Sequence, residues 1–263
     1  MPMNYIREKR IYCGPDHLEV DIYPITQNQL NKKGKRSKKK KESLPKQKRL
    51  NEKRARKKLR QITNTNFNEN DYIVTLTHSS PPETVEDAIK ERQKYLDRAK
   101  YHMAKRGIAL KYIAVTEFGG TEDNPSNIHH HLIINGCLTR DEVEDLWSTG
   151  RGKKKKPLGR ANARRLQPDK MGLAGLAEYI TKRPEGKKRW TCSKNLERPW
   201  SKDNDHKYKR SQIIKAAMSN EYSKILANYK DYEPVDADYG IQAVYNDFTG
   251  WSIYLRLRKK GSG

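Results

Sequence analysis

Asn31 to Arg60 holds 17 basic and 2 acidic residues, a net charge of +15. Such a stretch cannot build a hydrophobic core, because its like charges repel and its few apolar side chains cannot offset the entropy of ordering the chain. A second cluster, Arg151 to Arg210, holds 20 basic and 6 acidic residues, a net +14. The whole chain carries +24 over 263 residues, so everything outside the two clusters is mildly acidic. Hydrophobic residues make up 34% and the 16 glycines add only about 6%, together below the roughly 45–50% apolar share of an ordinary soluble domain. One compact core running through the whole chain is therefore not expected. The length predicts one or two domains at roughly 150 residues each.

Concentrated positive charge attracts phosphate backbones through counterion release, without reading sequence. A membrane surface is the weaker rival partner, because basic membrane anchors need an apolar face and Lys38-Lys39-Lys40-Lys41 has none. No run reaches the roughly 18–20 apolar residues of a membrane span, and the first 30 residues show no signal-peptide core. Three cysteines, Cys13, Cys137 and Cys192, are too few and too scattered for a disulfide framework or a four-cysteine zinc module. These features predict a soluble cytoplasmic protein with a polyanionic partner. Tyr is the dominant aromatic, 15 against 3 Phe, and its ring can stack on bases.

Alternation predicts a short strand at Leu18–Tyr23. Residues 28–43 are low-complexity and basic, which predicts disorder or ordering only by nucleic acid, and 44–60 have the composition of a basic helix. A β-rich run, Tyr72 to Thr77, ends at Ser79-Ser80-Pro81-Pro82. Val85, Ala88, Ile89, Leu96, Ala99 and Met103 recur at helical spacing, and Gly107 closes that helix. Tyr112–Phe118 and Ile128–Ile134 read as a hairpin around a Gly/Asn/Pro/Ser loop. Thr139 and Glu142 form a capping box ahead of a short helix. Arg151–Arg165 reads as a basic loop, Asp169–Lys182 as a helix, Arg189–Lys194 as a strand and Ser211–Tyr229 as a helix. A final hairpin is expected around Asn246-Asp247. Gly261-Ser262-Gly263 reads as an appended linker. This order is not a strict βαβ alternation and favours an α+β fold with a mainly antiparallel sheet. The expected regions are a basic extension over 1–66, a central domain over 67–200 and an accessory region over 201–260.

His129-His130-His131 stands in the middle of this pattern. Strand side chains alternate faces, so His129 and His131 share one face and His130 points the other way with Leu132 and Ile134. Glu117 is expected close by across the hairpin. Two imidazoles and one carboxylate leave coordination positions open, which suits catalysis rather than structure. An isolated H-x-H is a weak signal, since adjacent histidines can be no more than polar strand residues; Glu117 and the tyrosine helix described next are what point to a metal.

On the expected helix Asp169–Lys182, Gly172, Gly175, Tyr179 and Lys182 fall on one face. Leu173, Leu176, Ala177 and Ile180 form the apolar stripe that packs on the sheet. Mid-helix glycines cost roughly 1 kcal/mol each relative to Ala, so close backbone approach beside Tyr179 is the reading. A tyrosine hydroxyl, with an ordinary pKa of about 10, is a poor nucleophile near neutral pH. A metal that polarises a phosphate supplies what it lacks.

Three motifs now stand in order: Tyr72-Ile-Val-Thr-Leu-Thr-His78, His129-His-His-Leu-Ile-Ile134 and Ala177-Glu-Tyr-Ile-Thr-Lys182. Together they resemble the HUH endonucleases, in particular the rolling-circle replication initiators (Rep proteins) of phages and plasmids related to the filamentous phage gene II protein. Arg189 to Pro199, and more loosely Arg7 to Pro24, are also similar to that group. The resemblance implies a central antiparallel sheet flanked by helices, with the His pair on a middle strand facing the Tyr helix. It implies nicking of one DNA strand at an origin, with Tyr179 joined to the 5′ phosphate and a 3′ hydroxyl released as primer. His129, His131 and, more loosely, Glu117 match the ligands of Mg2+ or Mn2+, and Lys182 matches the lysine that follows the nucleophile. Arg164, Arg165, Lys187, Lys188, Arg189 and Lys194 are the expected DNA contacts.

Two departures stand out. His130 occupies the usual hydrophobic middle of the His motif; the 129/131 register is kept because Ile133 continues that face. There is one helix Tyr, so a second transfer would need water, another subunit or a different group. No P-loop is present, so strand separation is expected from a host helicase acting with a host polymerase. The competing readings are a non-catalytic basic nucleic-acid-binding protein, and a related single-strand transposase or relaxase.

Overall fold

The computed structural model describes residues 5–30, 44–121, 125–150, 152–181, 190–236 and 240–261. Lys182, Lys187, Lys188 and Arg189, and the low-complexity stretch 31–43, lie outside them. In chain order the first elements are β1 (Tyr5–Cys13), β2 (His17–Ile25), α1 (Gln27–Leu30), α2 (Pro45–Asn66) and β3 (Tyr72–Thr77). Next come α3 (Val85–Ala104), β4 (Tyr112–Gly120), β5 (Pro125–Ile134), α4 (Arg140–Asp145), β6 (Ser148–Thr149) and β7 (Lys156–Pro157). Then follow β8 (Ala161–Arg165), α5 (Ala174–Tyr179), β9 (Thr191–Cys192) and β10 (Trp200–Asn204). The chain finishes with α6 (Arg210–Ser219), α7 (Ser223–Leu226), β11 (Tyr232–Pro234), β12 (Ile241–Asn246) and β13 (Gly250–Lys259). The fold is α+β and its sheets are antiparallel, as the sequence pattern predicts.

The chain divides into two compact units. The first comprises residues 1–53, 169–172 and 198–263; the second comprises 54–168 and 173–197. This partition differs from the sequence-based regions 1–66, 67–200 and 201–260. In the first unit the two ends of the chain share one sheet, ordered β10-β1-β2-β13-β11, with β12 also paired to β13. The terminal hairpin is therefore part of a six-stranded sheet. Ile6, Leu18, Val20, Ile22, Ile253, Leu255 and Leu257 face Ile213 and Ala216 of α6 and Ile225 of α7 in its core. The expected single helix Ser211–Tyr229 is broken where Asn220 takes a left-handed conformation at the α6 C-cap.

Buried in that sheet, Glu8 accepts hydrogen bonds from Lys207 Nζ at 2.8 Å, Arg10 Nε at 3.2 Å and the Tyr229 hydroxyl. Burial alone would push this carboxyl up, but its hydrogen bonds to Lys207, Tyr229 and Arg10 carry it below the ordinary range. A carboxyl with a depressed folded-state pKa stabilises fully above its unfolded pKa and loses that contribution as pH falls through the folded value. Amide exchange in β1 and β10 is therefore expected to accelerate on acidification below the ordinary carboxylate range. Glu8→Gln should exchange faster at neutral pH and respond less to acid. An unchanged acid response in that variant would remove Glu8 as the source.

The second unit is built on a five-stranded antiparallel sheet ordered β8-β3-β5-β4-β9, so the histidine strand is its centre. One face packs Val74, Leu76, Ala114 and Leu132 against Tyr95, Leu96, Ala99 and Met103 of α3 and Val143 of α4. Thr84 caps α3 by accepting from the Asp87 amide, and Thr139 with Glu142 forms the expected capping box on α4. On the opposite face Ile113, Val115 and Ile133 pack against Leu59 and Ile62 of α2 and Leu173, Ala177 and Ile180. Burying such aliphatic side chains stabilises by about 1.5–3 kcal/mol each. The end of α2 is thus core, although its composition reads as a basic extension.

Two further elements differ from expectation. Residues 161–165, within the expected basic loop, form β8 and pair with β3 from Leu76↔Ala161 to Tyr72↔Arg165. At the entry to β8, a Cβ on Gly159 would collide with the Thr77 carbonyl and the Ser79 amide, so only glycine fits this close approach. The helix expected over 169–182 begins only at Ala174. Asp169 and Gly172 close a tight turn through reciprocal backbone bonds of 3.0 and 2.8 Å, and Gly172 has φ +68. A residue in that conformation cannot belong to an α-helix, so Gly172 does not share a helical face with Tyr179.

Candidate active site

Register brings the site together on the α2/α5 face of the second sheet. His131 lies between Thr75 and Val115, and His129 between Thr77 and Glu117. Side chains directly opposite in antiparallel strands share a face, so Thr75, Thr77, Glu117, His129 and His131 all project the same way. Just past Glu117 the β4/β5 register shifts, and Asn127 adopts φ +49. A bulge bends the strand locally and re-aims neighbouring side chains; here it adjoins Glu117 and His129.

The α5 apolar stripe Leu173, Leu176, Ala177 and Ile180 packs on this face as expected. That anchoring leaves Tyr179 64% exposed at the helix end, with its ring centroid 5.9 Å from that of His131 and an interplanar angle of 68°. Asn64 of α2 helps hold the helix start by accepting from the Leu173 amide at 2.7 Å. Tyr179, His129, His131, Glu117, Asn127, Thr75 and Thr77 line one open cleft of about 920 Å3. Arg160, Asn162 and Arg164 line its β8 side.

His131 Nε2 stands 3.5 Å from Glu117 Oε2, and its Nδ1 stands 3.3 Å from Thr75 Oγ1. Burial lowers the His131 pKa, against the opposing pull of Glu117. The imidazole is thus held toward its neutral form, the form that ligates metals. The donors fit a divalent cation chemically, since two imidazoles and a carboxylate share one face with a hydroxyl partner for the second ring nitrogen of His131. Among the described residues, no three His, Cys, Asp or Glu side chains already converge on one point able to hold a metal.

His130 faces the other way, as alternation requires, and is fully buried. Burial, then the charge of Arg92, holds its pKa well below the ordinary histidine value. Of the expected DNA contacts, Arg164 lies in the cleft. Arg165 does not: opposite Tyr72 rather than Ile73, it lies over the Tyr72 ring at 4.0 Å and bonds the Asn70 carbonyl. Lys194 lines a separate hollow between α3 and the β9 segment. Arg160 and Asn162 escape the sequence reading because the dense charge of 151–165 hides the period-two spacing Arg160-x-Asn162-x-Arg164.

Residues 71–184 match the family of replication-associated protein ORF2/G2P. The match supports a replication initiator of the phage and plasmid Rep type, the group that the three motifs resemble. The ORF2/G2P segment contains β3, β5 and α5, so the His strand and the Tyr179 helix both fall inside it. No curated protein and no solved structure gives a significant match. No helix among the described residues is long and apolar enough to cross a membrane.

The two faces of β8 separate its arginines experimentally. Each phosphate neutralised on a single strand steepens the slope of log affinity against log salt by about 0.7. Arg164→Ala is expected to flatten that slope by about this amount, whereas Arg165→Ala should leave it unchanged and lower thermal stability through its lost contact with Tyr72. A salt titration with single-stranded DNA checks both; equal slopes for the two variants would contradict the assignment of Arg164 to the DNA path.

Proposed function

We propose that this chain initiates rolling-circle replication by nicking and rejoining single-stranded origin DNA through a covalent tyrosine intermediate. The observation that carries this reading is the exposed Tyr179 ring set against His131 in a cleft that also holds Glu117, His129 and Arg164. In the forward step Tyr179 Oη attacks a backbone phosphorus. The bond from phosphorus to the 3′ oxygen breaks, that oxygen takes up a proton and leaves as a 3′ hydroxyl primer, and the phenolic proton passes to water in the open cleft. The DNA 5′ phosphate stays esterified to Tyr179. Rejoining is the reverse: a 3′ hydroxyl attacks the phosphotyrosine and Tyr179 leaves with its proton restored.

Arg160 and Arg164 hold phosphates and orient the strand for in-line attack, contacts that position the chain without reading bases. His129, His131 and Glu117 would hold Mg2+ or Mn2+, with Thr75 orienting His131. When bound, the ion would supply Lewis-acid polarisation of the scissile phosphate. Host helicase and polymerase supply strand separation and extension in the cytoplasm of the host cell.

The test is incubation of the full chain with single-stranded origin DNA and Mn2+, followed by denaturing electrophoresis and peptide mapping. An adduct carrying nucleotide on Tyr179 supports the proposal. Tight DNA binding with no adduct under any metal would leave a non-catalytic DNA-binding protein as the better reading.

A further inference from the structure

Behind the sheet, on the face away from the cleft, five polar side chains are joined by four contacts in a loop that starts and ends at adjacent residues of α3. Arg92 Nη1 on α3 donates to Thr116 Oγ1 on β4 at 2.6 Å. Thr116 Oγ1 lies 3.0 Å from His130 Nδ1 on β5. His130 Nε2 lies 3.1 Å from Nε2 of His78, the residue after β3. His78 Nδ1 lies 3.2 Å from Glu91 Oε2, back on α3 beside Arg92. Trp147 covers the ring, its centroid 5.0 Å from that of His78, and donates its indole N–H to the Thr77 carbonyl at 2.8 Å.

Hydrogen counting gives the ring one direction. Arg92 can only donate, so Thr116 accepts from it and has its own hydrogen to give. His130 Nδ1 accepts that hydrogen and carries its proton on Nε2. His78 accepts on Nε2, keeps its proton on Nδ1 and directs it at the Glu91 carboxylate. The opposite direction would set an imidazole lone pair against that carboxylate. Thr116 and His130 on the strands, and His78 directly after β3, are each the sequence neighbour of a cleft residue: Thr116 of Glu117, His130 of His129 and His131, His78 of Thr77.

We infer that Arg92, Thr116, His130, His78 and Glu91 form a positioning circuit that sets the relative placement of β3, β4 and β5, and thereby holds Glu117, His129 and His131 in mutual register. The middle residue of the His motif is a histidine here because it is the junction of that circuit. The circuit rests on the proposed nicking function only for what the held residues do. Buried polar networks favour one arrangement of the elements they join; here each contact between circuit members is made, while Arg92 Nε has no hydrogen-bond partner among the described residues. Partners behind metal-binding side chains commonly alter metal affinity about 10–100-fold when removed.

The isosteric Thr116→Val breaks the circuit, Thr116→Ser keeps the hydroxyl, Glu91→Gln removes the terminal charge, and Ile134→Val is a core control on β5. Imidazole nitrogen NMR of the metal-free full chain is expected to show His130 protonated on Nε2 and His78 on Nδ1. Thr116→Val should shift the ring signals of His129 and His131, Glu91→Gln should do so less, and Thr116→Ser and Ile134→Val should leave them in place. The Mn2+ concentration for half-maximal adduct formation should rise on the order of 10-fold in Thr116→Val and stay near the parent value in Thr116→Ser and Ile134→Val. The circuit is overturned if Thr116→Val merely lowers thermal stability, as Ile134→Val does, with the His129 and His131 signals unmoved. A parent protein that forms no Mn2+-dependent adduct would instead defeat the nicking function, and the metal-free spectra would still decide the circuit.

Discussion

Tyr179→Phe is expected to reduce the covalent protein–DNA adduct to background while DNA affinity falls by less than about tenfold, the equivalent of one neutral hydrogen bond at roughly 0.5–1.5 kcal/mol. The asymmetry follows from where the side chain stands. Its hydroxyl is the only atom removed, its ring keeps the edge-to-face contact with His131, and Leu176, Ala177 and Ile180 still seat α5 on the sheet. Nothing in the core changes, so thermal stability should match the parent. Arg160, Asn162 and Arg164 still line the cleft, so the positive side of the proposed DNA path is unchanged. Denaturing electrophoresis measures the adduct and fluorescence anisotropy measures binding. Adduct formation at the parent rate would show that another group attacks, and the nucleophile would have to be sought by mapping the labelled peptide.

What the sequence disclosed and what it hid divide along physical lines. Local signals were legible: the capping box at Thr139 and Glu142, the helical spacing from Val85 to Met103, and the alternation that separates His130 from His129 and His131. These depend on residues a few positions apart. The start of α5 was hidden because Gly172 looks like a tolerated helix glycine, whereas the Asp169 turn holds it at positive φ. β1 was hidden because Arg7, Glu8, Lys9 and Arg10 dilute its apolar alternation; Glu8 is buried by partners some 200 positions away. β8 was hidden by its own charge. Register, rather than residue type, makes the ring behind the sheet: Leu76 pairs with His130 and Thr116 with His130 from opposite sides. No local pattern announces that His78 and Glu91 will close it.

The three adjacent histidines are expected to fail in different ways. His129→Ala and His131→Ala remove donors from the open cleft. A bound metal contributes several kcal/mol to charge stabilisation, so each should slow adduct formation by at least about a hundredfold. His130→Ala removes a fully buried ring that joins Thr116 to His78. It leaves a cavity and strands buried polar partners, so it should cost roughly 3 kcal/mol or more of folding stability. Strand alternation alone would rank His130 as the mildest of the three; its burial makes it the most damaging to the fold. Thermal unfolding and adduct yield measured on the same preparations separate the two effects. Added Mn2+ should not rescue His129→Ala or His131→Ala, whereas lower temperature should partly rescue His130→Ala by refilling its folded population. If chelation, His129→Ala and His131→Ala all leave adduct formation intact, the cleft works without a metal, and Arg160 and Arg164 must carry the phosphate charge alone.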